Sequence, residues 1–174
     1  MVENLNINSK EFVPSIISGK SSFFFISFFV LFIFVHELGH LLTAILFGGK
    51  AIGITYSNLS FYAITKSNSV ESRKAIVLGG SIFVFIVGSI IDSIAIIRNK
   101  VILHITMTII ITSEIMAWSV NAFLGLGDAA IYLRLMRANS LYIFRFVLII
   151  FIIGIIYFLI NIKISFKLIS KYFK

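Results

Sequence analysis

The sequence predicts an all-α polytopic membrane protein, with about four transmembrane helices and a small membrane-associated β hairpin between the first two. Three observations predict it. The chain of 174 residues is 59% hydrophobic with a mean hydropathy of +1.07, whereas a soluble domain is about 45–50% apolar. Apolar runs of bilayer length recur along it, most of them ending at glycine or at basic residues. Between the first two runs the pattern switches to strand period.

Charge and cysteine usage narrow the class further. The net charge of +8 places lysine and arginine at lipid headgroups; in a membrane protein it does not argue for nucleic-acid binding. The chain contains no cysteine, which excludes disulfides and thiolate metal sites.

Residues 1–21 are polar, include Glu3 and Glu11, and lack the basic start of a signal peptide. Ser22 to Phe47 is the first span, closed by the helix-stopping pair Gly48-Gly49. In "AIGITYSNLSFYAITKSNSVESRK", Ile52, Ile54 and Tyr56 alternate with Gly53, Thr55 and Ser57, as strand residues do. Ser57-Asn58 turns the chain into a second strand, Phe61 to Thr65. The hairpin is therefore expected over residues 51–66.

Ala75 to Ile97 is the second span, followed by Arg98-Asn99-Lys100. The third apolar run, Val101 to Arg137, would be about 55 Å long as one helix, against a hydrocarbon core of about 30 Å. It is expected to break at Gly125 and Gly127. Broken helix inside a membrane persists only against protein or a wet cavity. Leu141 to Ile162 is the fourth span. Residues 163–174 form a basic amphipathic tail, with Lys163, Lys167, Lys171 and Lys174 spaced among apolar residues as snorkelling lysines. The organisation is a polar segment (1–21), a single membrane-embedded core (22–162) and the tail.

The first span carries His36-Glu37-Leu38-Gly39-His40. Residues i and i+4 share a helix face, so His36 and His40 aim two imidazoles at one point, as zinc requires. Glu37 lies about 100° around the helix from His36. There it flanks the metal and can take a proton from a metal-activated water. The pattern is the metalloprotease helix signature. A charged group at mid-membrane costs at least about 2.5–3.5 kcal/mol, so this cluster needs a functional reason. The structural alternative is a pair of histidines satisfied by neighbouring helices.

A catalytic zinc needs a further protein ligand. His104, Asp92, Glu114 and Asp128 are the candidates within the apolar runs. His40 and His36 lie about 12 and 18 Å from the helix end at Gly48. In an alternating arrangement the third run ends on that same side, which puts Asp128 about 9–14 Å deep. Asp92 and His104 lie near the opposite surface with Arg98 and Lys100 and read as a local ionic cluster. Along a straight helix Glu114 is about 21 Å from Asp128, so both cannot reach one ion. Glu114 is expected to be a buried polar contact, with water access or metal binding as its alternative role.

The stretch "HELGHLLTAILFGGKAIGI", the following hairpin and a second helix opening with "VLGGS" resemble the site-2 protease family of intramembrane zinc metalloproteases, its small bacterial and archaeal members above all. The resemblance covers most of residues 22–137. It implies a Zn2+ cofactor, hydrolysis of peptide bonds in membrane-embedded or membrane-adjacent substrates, and a multi-pass protein of a prokaryotic plasma membrane. In the family a late Asn opens a loop-like stretch ending in a zinc-ligating Asp before Gly. Here "NAFLGLGDAA" presents Asn121 and Asp128. No proline follows Asn121, and Ala129 stands in place of the glycine. The resemblance implies that Asn121 is catalytic, donating near the reacting carbonyl; interhelical hydrogen bonding is its plain alternative.

Two other functions compete: a catalytically silent relative that binds a membrane partner, and a small metal-binding transporter. One compact ligand set with no second site along a path disfavours transport. Keeping Glu37 disfavours a silent binder. Basic residues divide six against eight between the two sides, too evenly to set orientation.

Overall fold

The computed structural model describes residues 19–57 and 60–171. Most of the polar N-terminal segment, the expected turn residue Asn58 and the last residues of the basic tail lie outside them. In chain order the elements are α1 (Gly19–Leu46), β1 (Lys50–Ser57), β2 (Ser60–Lys66), α2 (Val70–Ile97), α3 (Val101–Leu124), α4 (Gly127–Leu135) and α5 (Ser140–Ser170). Helices α1, α2, α3 and α5 are each long and apolar enough to cross a membrane. The chain is an integral multi-pass membrane protein.

Its outer surface is apolar as that setting requires. Phe23, Ile26 and Val30 on α1 and Phe144, Ile149, Ile156 and Leu159 on α5 are exposed. In water such faces would mark binding surfaces; in a bilayer they meet lipid chains of the same polarity.

Helix boundaries follow local capping. α2 starts earlier than its apolar run, because the Ser69 side chain accepts the Ser72 N–H and Lys74 pairs with Glu71 at 2.8 Å. These satisfy one orphan amide and support the first turn. At α5 the Asn139 side chain accepts the Tyr142 N–H at 2.9 Å. That helix then runs unbroken past Ile162 to Ser170, so the fourth span and most of the basic tail are one element.

Packing runs α1 on α2, α2 on α3 and α3 on α5. The α1–α2 crossing is close because glycines face each other: a Cβ on Gly39 would lie 2.6 Å from Phe83 Cβ and 2.9 Å from Gly80 Cα. Small residues permit such backbone approach in membranes. Phe32, Val84, Met107 and Ile110 form one buried cluster among α1, α2 and α3. Val77, Trp118, Ala122, Ala129 and Leu133 form another among α2, α3 and α4.

The third apolar run breaks where expected. Gly125 closes α3 in the left-handed region at φ 72°, where a side chain is disfavoured. The Gly125 and Leu126 amides both return to the Asn121 carbonyl. The short α4 then packs against α2 and α3 with Ala129, Ala130 and Leu133 buried.

The hairpin is antiparallel, with Ile54 opposite Ala63 and Tyr56 opposite Phe61, and an irregularity between Ala51 and Gly53. It lies against α1, where the Phe61 ring meets Phe34 with centroids 4.3 Å apart. β2 pairs with β1 alone among the described residues, so its second edge, apart from the Ala63 N–H that Glu37 takes, has no strand partner there.

Candidate metal centre

Helical spacing brings the first two groups together. The His36 and His40 rings lie edge to face, with centroids 4.8 Å apart, and their Nε2 atoms are 3.1 Å apart. The α3–α4 break supplies the third. Asp128 enters in the first turn of α4, and its Oδ2 lies 3.0 Å from Nε2 of each histidine. His36, His40 and Asp128 are the one group of potential metal ligands gathered this way among the described residues.

The partner behind each ring constrains where its proton sits. His40 Nδ1 lies 2.6 Å from the Ile76 carbonyl oxygen, which only accepts, so this nitrogen carries the hydrogen. His36 Nδ1 lies 3.2 Å from Glu114 Oε1, an acceptor when ionised. In the neutral rings both Nε2 atoms then present lone pairs toward each other and toward a carboxylate oxygen. Three electron-rich atoms so close repel unless a proton or a metal ion lies between them. Tetrahedral zinc at about 2.0–2.1 Å from its ligands separates them by about 3.3 Å, close to the spacing here. The donor set, two imidazoles and one carboxylate, is one that catalytic zinc uses.

Glu37 stands beside this group. Its Oε2 accepts the Ala63 backbone N–H at 2.5 Å, an amide of β2 that points away from β1. A groove of about 770 Å³ runs past the site, lined by His36, Glu37, Ala63, Arg73, Asn121 and Asp128 among others. Asn121 reaches it from the last turn of α3, under Gly127: a Cβ there would sit 3.2 Å from Asn121 Nδ2. The Asn121 amide makes no side-chain hydrogen bond among the described residues.

Gly80 of α2 makes room for the cluster. A Cβ at this position would lie 2.6 Å from Nε2 of both His36 and His40. Sequence reasoning singled out "VLGGS" without assigning it that role. It also assigned no part to the Ile76 carbonyl or the Ala63 amide, because main-chain groups leave no trace in side-chain patterns. Glu114 was legible as a membrane-embedded acid but not as a partner of His36. It stays outside the His36–His40–Asp128 group, yet lies at the opposite nitrogen of the His36 ring, because the break at Gly125 folds Asp128 back toward it.

Asp92 and His104 lie elsewhere and pair with each other at 2.6 Å. His104 is 0% exposed, and its Nε2 also meets the Asn161 carbonyl at 3.3 Å. Neither Arg98 nor Lys100 joins the pair among the described residues. The two groups tie α2, α3 and α5 together and are not part of the His36–His40–Asp128 group.

No protein-family model, curated protein or solved structure matches this chain significantly.

Proposed function

We propose that the protein is an intramembrane zinc metalloprotease of the site-2 type, hydrolysing peptide bonds of membrane-embedded or membrane-adjacent substrates in a prokaryotic plasma membrane. The observation that carries this reading is the convergence of His36, His40 and Asp128 beside a glutamate that is not among them. A site built only to hold a metal needs no such neighbour; a hydrolase needs a base.

His36, His40 and Asp128 would hold the ion. When bound, zinc supplies an acidified water and a Lewis acid for the scissile carbonyl. Glu37 takes the proton of the attacking water and returns it to the leaving amine. Its Oε2 is oriented by Ala63 N–H, which leaves Oε1 for the proton transfer. The free Asn121 amide faces the groove and can donate to the developing oxyanion.

The open edge of β2 lines the same groove through Phe61, Ala63 and Thr65. A substrate helix must unwind before its amides can be attacked, and strand addition at an open edge satisfies the backbone groups so released. The groove also carries Lys66, Arg73, Asn68 and Ser69, so it leads from the zinc ligands to a polar rim from which water enters. Opening of that rim toward the cytosol is what the family resemblance implies.

The deciding experiment compares the wild type with Glu37→Gln on a membrane-peptide substrate, with zinc content measured in parallel. The expected result is unchanged zinc and cleavage reduced by about 10²–10⁴-fold, the usual contribution of a general base. Equal cleavage by both proteins defeats the assignment. A transporter or a silent binder gives no Glu37-dependent cleavage in either.

A further inference from the structure

The geometry points to Glu114 as a positioning residue for the metal centre: it acts through His36, holding that ring in the one tautomer that turns Nε2 toward the ion. This inference rests on the metal-site reading above and extends it to a residue outside the ligand set.

Two hydrogen bonds and one 3.2 Å ion-pair contact run in line from Trp118 to the back of His36. The Trp118 indole N–H can only donate, and it donates to Ser81 Oγ at 2.5 Å. The Ser81 hydroxyl hydrogen is then free to point onward, and Ser81 Oγ donates to Glu114 Oε1. Glu114 Oε1 also lies 3.2 Å from His36 Nδ1. Ionised Glu114 has only acceptor oxygens, so facing His36 Nδ1 it favours the tautomer with the hydrogen on Nδ1 and the lone pair on Nε2. His40 reaches the same state by a different route, through the Ile76 carbonyl. The two ligating rings are thus fixed from behind, one by a main-chain oxygen and one by a carboxylate.

Burial explains why an acid is used. Glu114 lies inside a membrane-spanning helix and is only partly exposed, where an ionisable group is costly. A merely structural contact to Ser81 could be made by a neutral side chain at lower cost. A carboxylate behind a ligating imidazole orients the ring and raises its basicity toward the metal. Trp118 and Ser81 come from α3 and α2 respectively, so the packing of these helices sets the position of Glu114 before any ion binds.

The test is competition for Zn2+ against a chelator, using the full chain in detergent. The proteins compared are wild type, Glu114→Gln, Glu114→Leu, Ser81→Ala, His36→Ala, Glu114→Gln combined with His36→Ala, and Asp92→Asn. Glu114→Leu should weaken zinc by about 10- to 100-fold, the usual effect of losing such a partner. Glu114→Gln, whose amide oxygen still accepts from His36 Nδ1, should lie between Leu and wild type. Ser81→Ala should weaken zinc by less than Glu114→Leu. In a His36→Ala background, adding Glu114→Gln should change nothing further, because the effect passes through that ring. Asp92→Asn, far from the site, serves as the control for general loss of helix packing and should leave zinc affinity unchanged. Wild-type affinity in Glu114→Gln and Ser81→Ala overturns the inference even if Glu114→Leu does not fold. A further loss on adding Glu114→Gln to His36→Ala does the same. A wild type that binds no zinc defeats the metal-site reading itself.

Discussion

His36 Nε2 and Asp128 Oδ2 lie 3.0 Å apart although 92 positions separate them in the chain. One sits in the middle of the first membrane helix, the other in the first turn of a short helix after a glycine break. The contact exists because Gly125 ends α3 and α4 folds against α2 and α3.

Asp128→Ala removes the one carboxylate of the ligand group while leaving both rings on α1. The expected outcome is zinc content near zero after purification in the presence of a weak chelator, and no detectable cleavage. Buried α4 residues keep the fold, so the circular dichroism spectrum should be retained.

Gly80→Ala places a methyl group 2.6 Å from both Nε2 atoms. Overpacking of a tight site costs about 1–3 kcal/mol, which would lower zinc affinity by about 10- to 100-fold if borne by the ligand rings. Chelator competition reads this directly. Wild-type affinity in this variant would show that the rings can move aside without loss.

Ala63→Pro deletes the backbone N–H that holds Glu37 Oε2 and interrupts the open edge of β2. Hydrogen bonds to charged groups contribute about 1.5–3 kcal/mol, so cleavage should fall about 10- to 100-fold or more with zinc affinity intact. Ala63→Gly keeps the amide and should retain most activity. A proline variant that cleaves as well as the wild type would remove β2 from the catalytic account.

Asp92→Asn weakens the buried pair with His104. Leaving a buried polar group poorly satisfied costs about 1–3 kcal/mol, and this should appear as a lower thermal midpoint in detergent. Zinc content should match the wild type, since the pair joins α2, α3 and α5 and not the metal ligands. Loss of zinc in this variant would show that the far end of the bundle controls the site.

The sequence by itself determined what depends on short-range periodicity. Apolar runs of bilayer length specify the spans, because only a helix satisfies its own backbone within lipid. The four-residue spacing puts His36 and His40 on one face, because a helix repeats every 3.6 residues. Alternation in residues 52–57 specifies a strand, and Gly125 marks the break because its backbone tolerates positive φ. Matching depth points to Asp128 as the third member of the group.

Which faces meet depends on how distant segments pack in three dimensions. Along a straight helix Glu114 and Asp128 would lie about 21 Å apart, but the break at Gly125 folds Asp128 back, and His36 stands between them with Asp128 at one ring nitrogen and Glu114 at the other. Ala63 N–H at Glu37, the Ile76 carbonyl at His40 and the space left by Gly80 are of the same kind. Each depends on helix crossing and hairpin docking, which are set by packing between segments distant in the chain and not by the local pattern of any one of them.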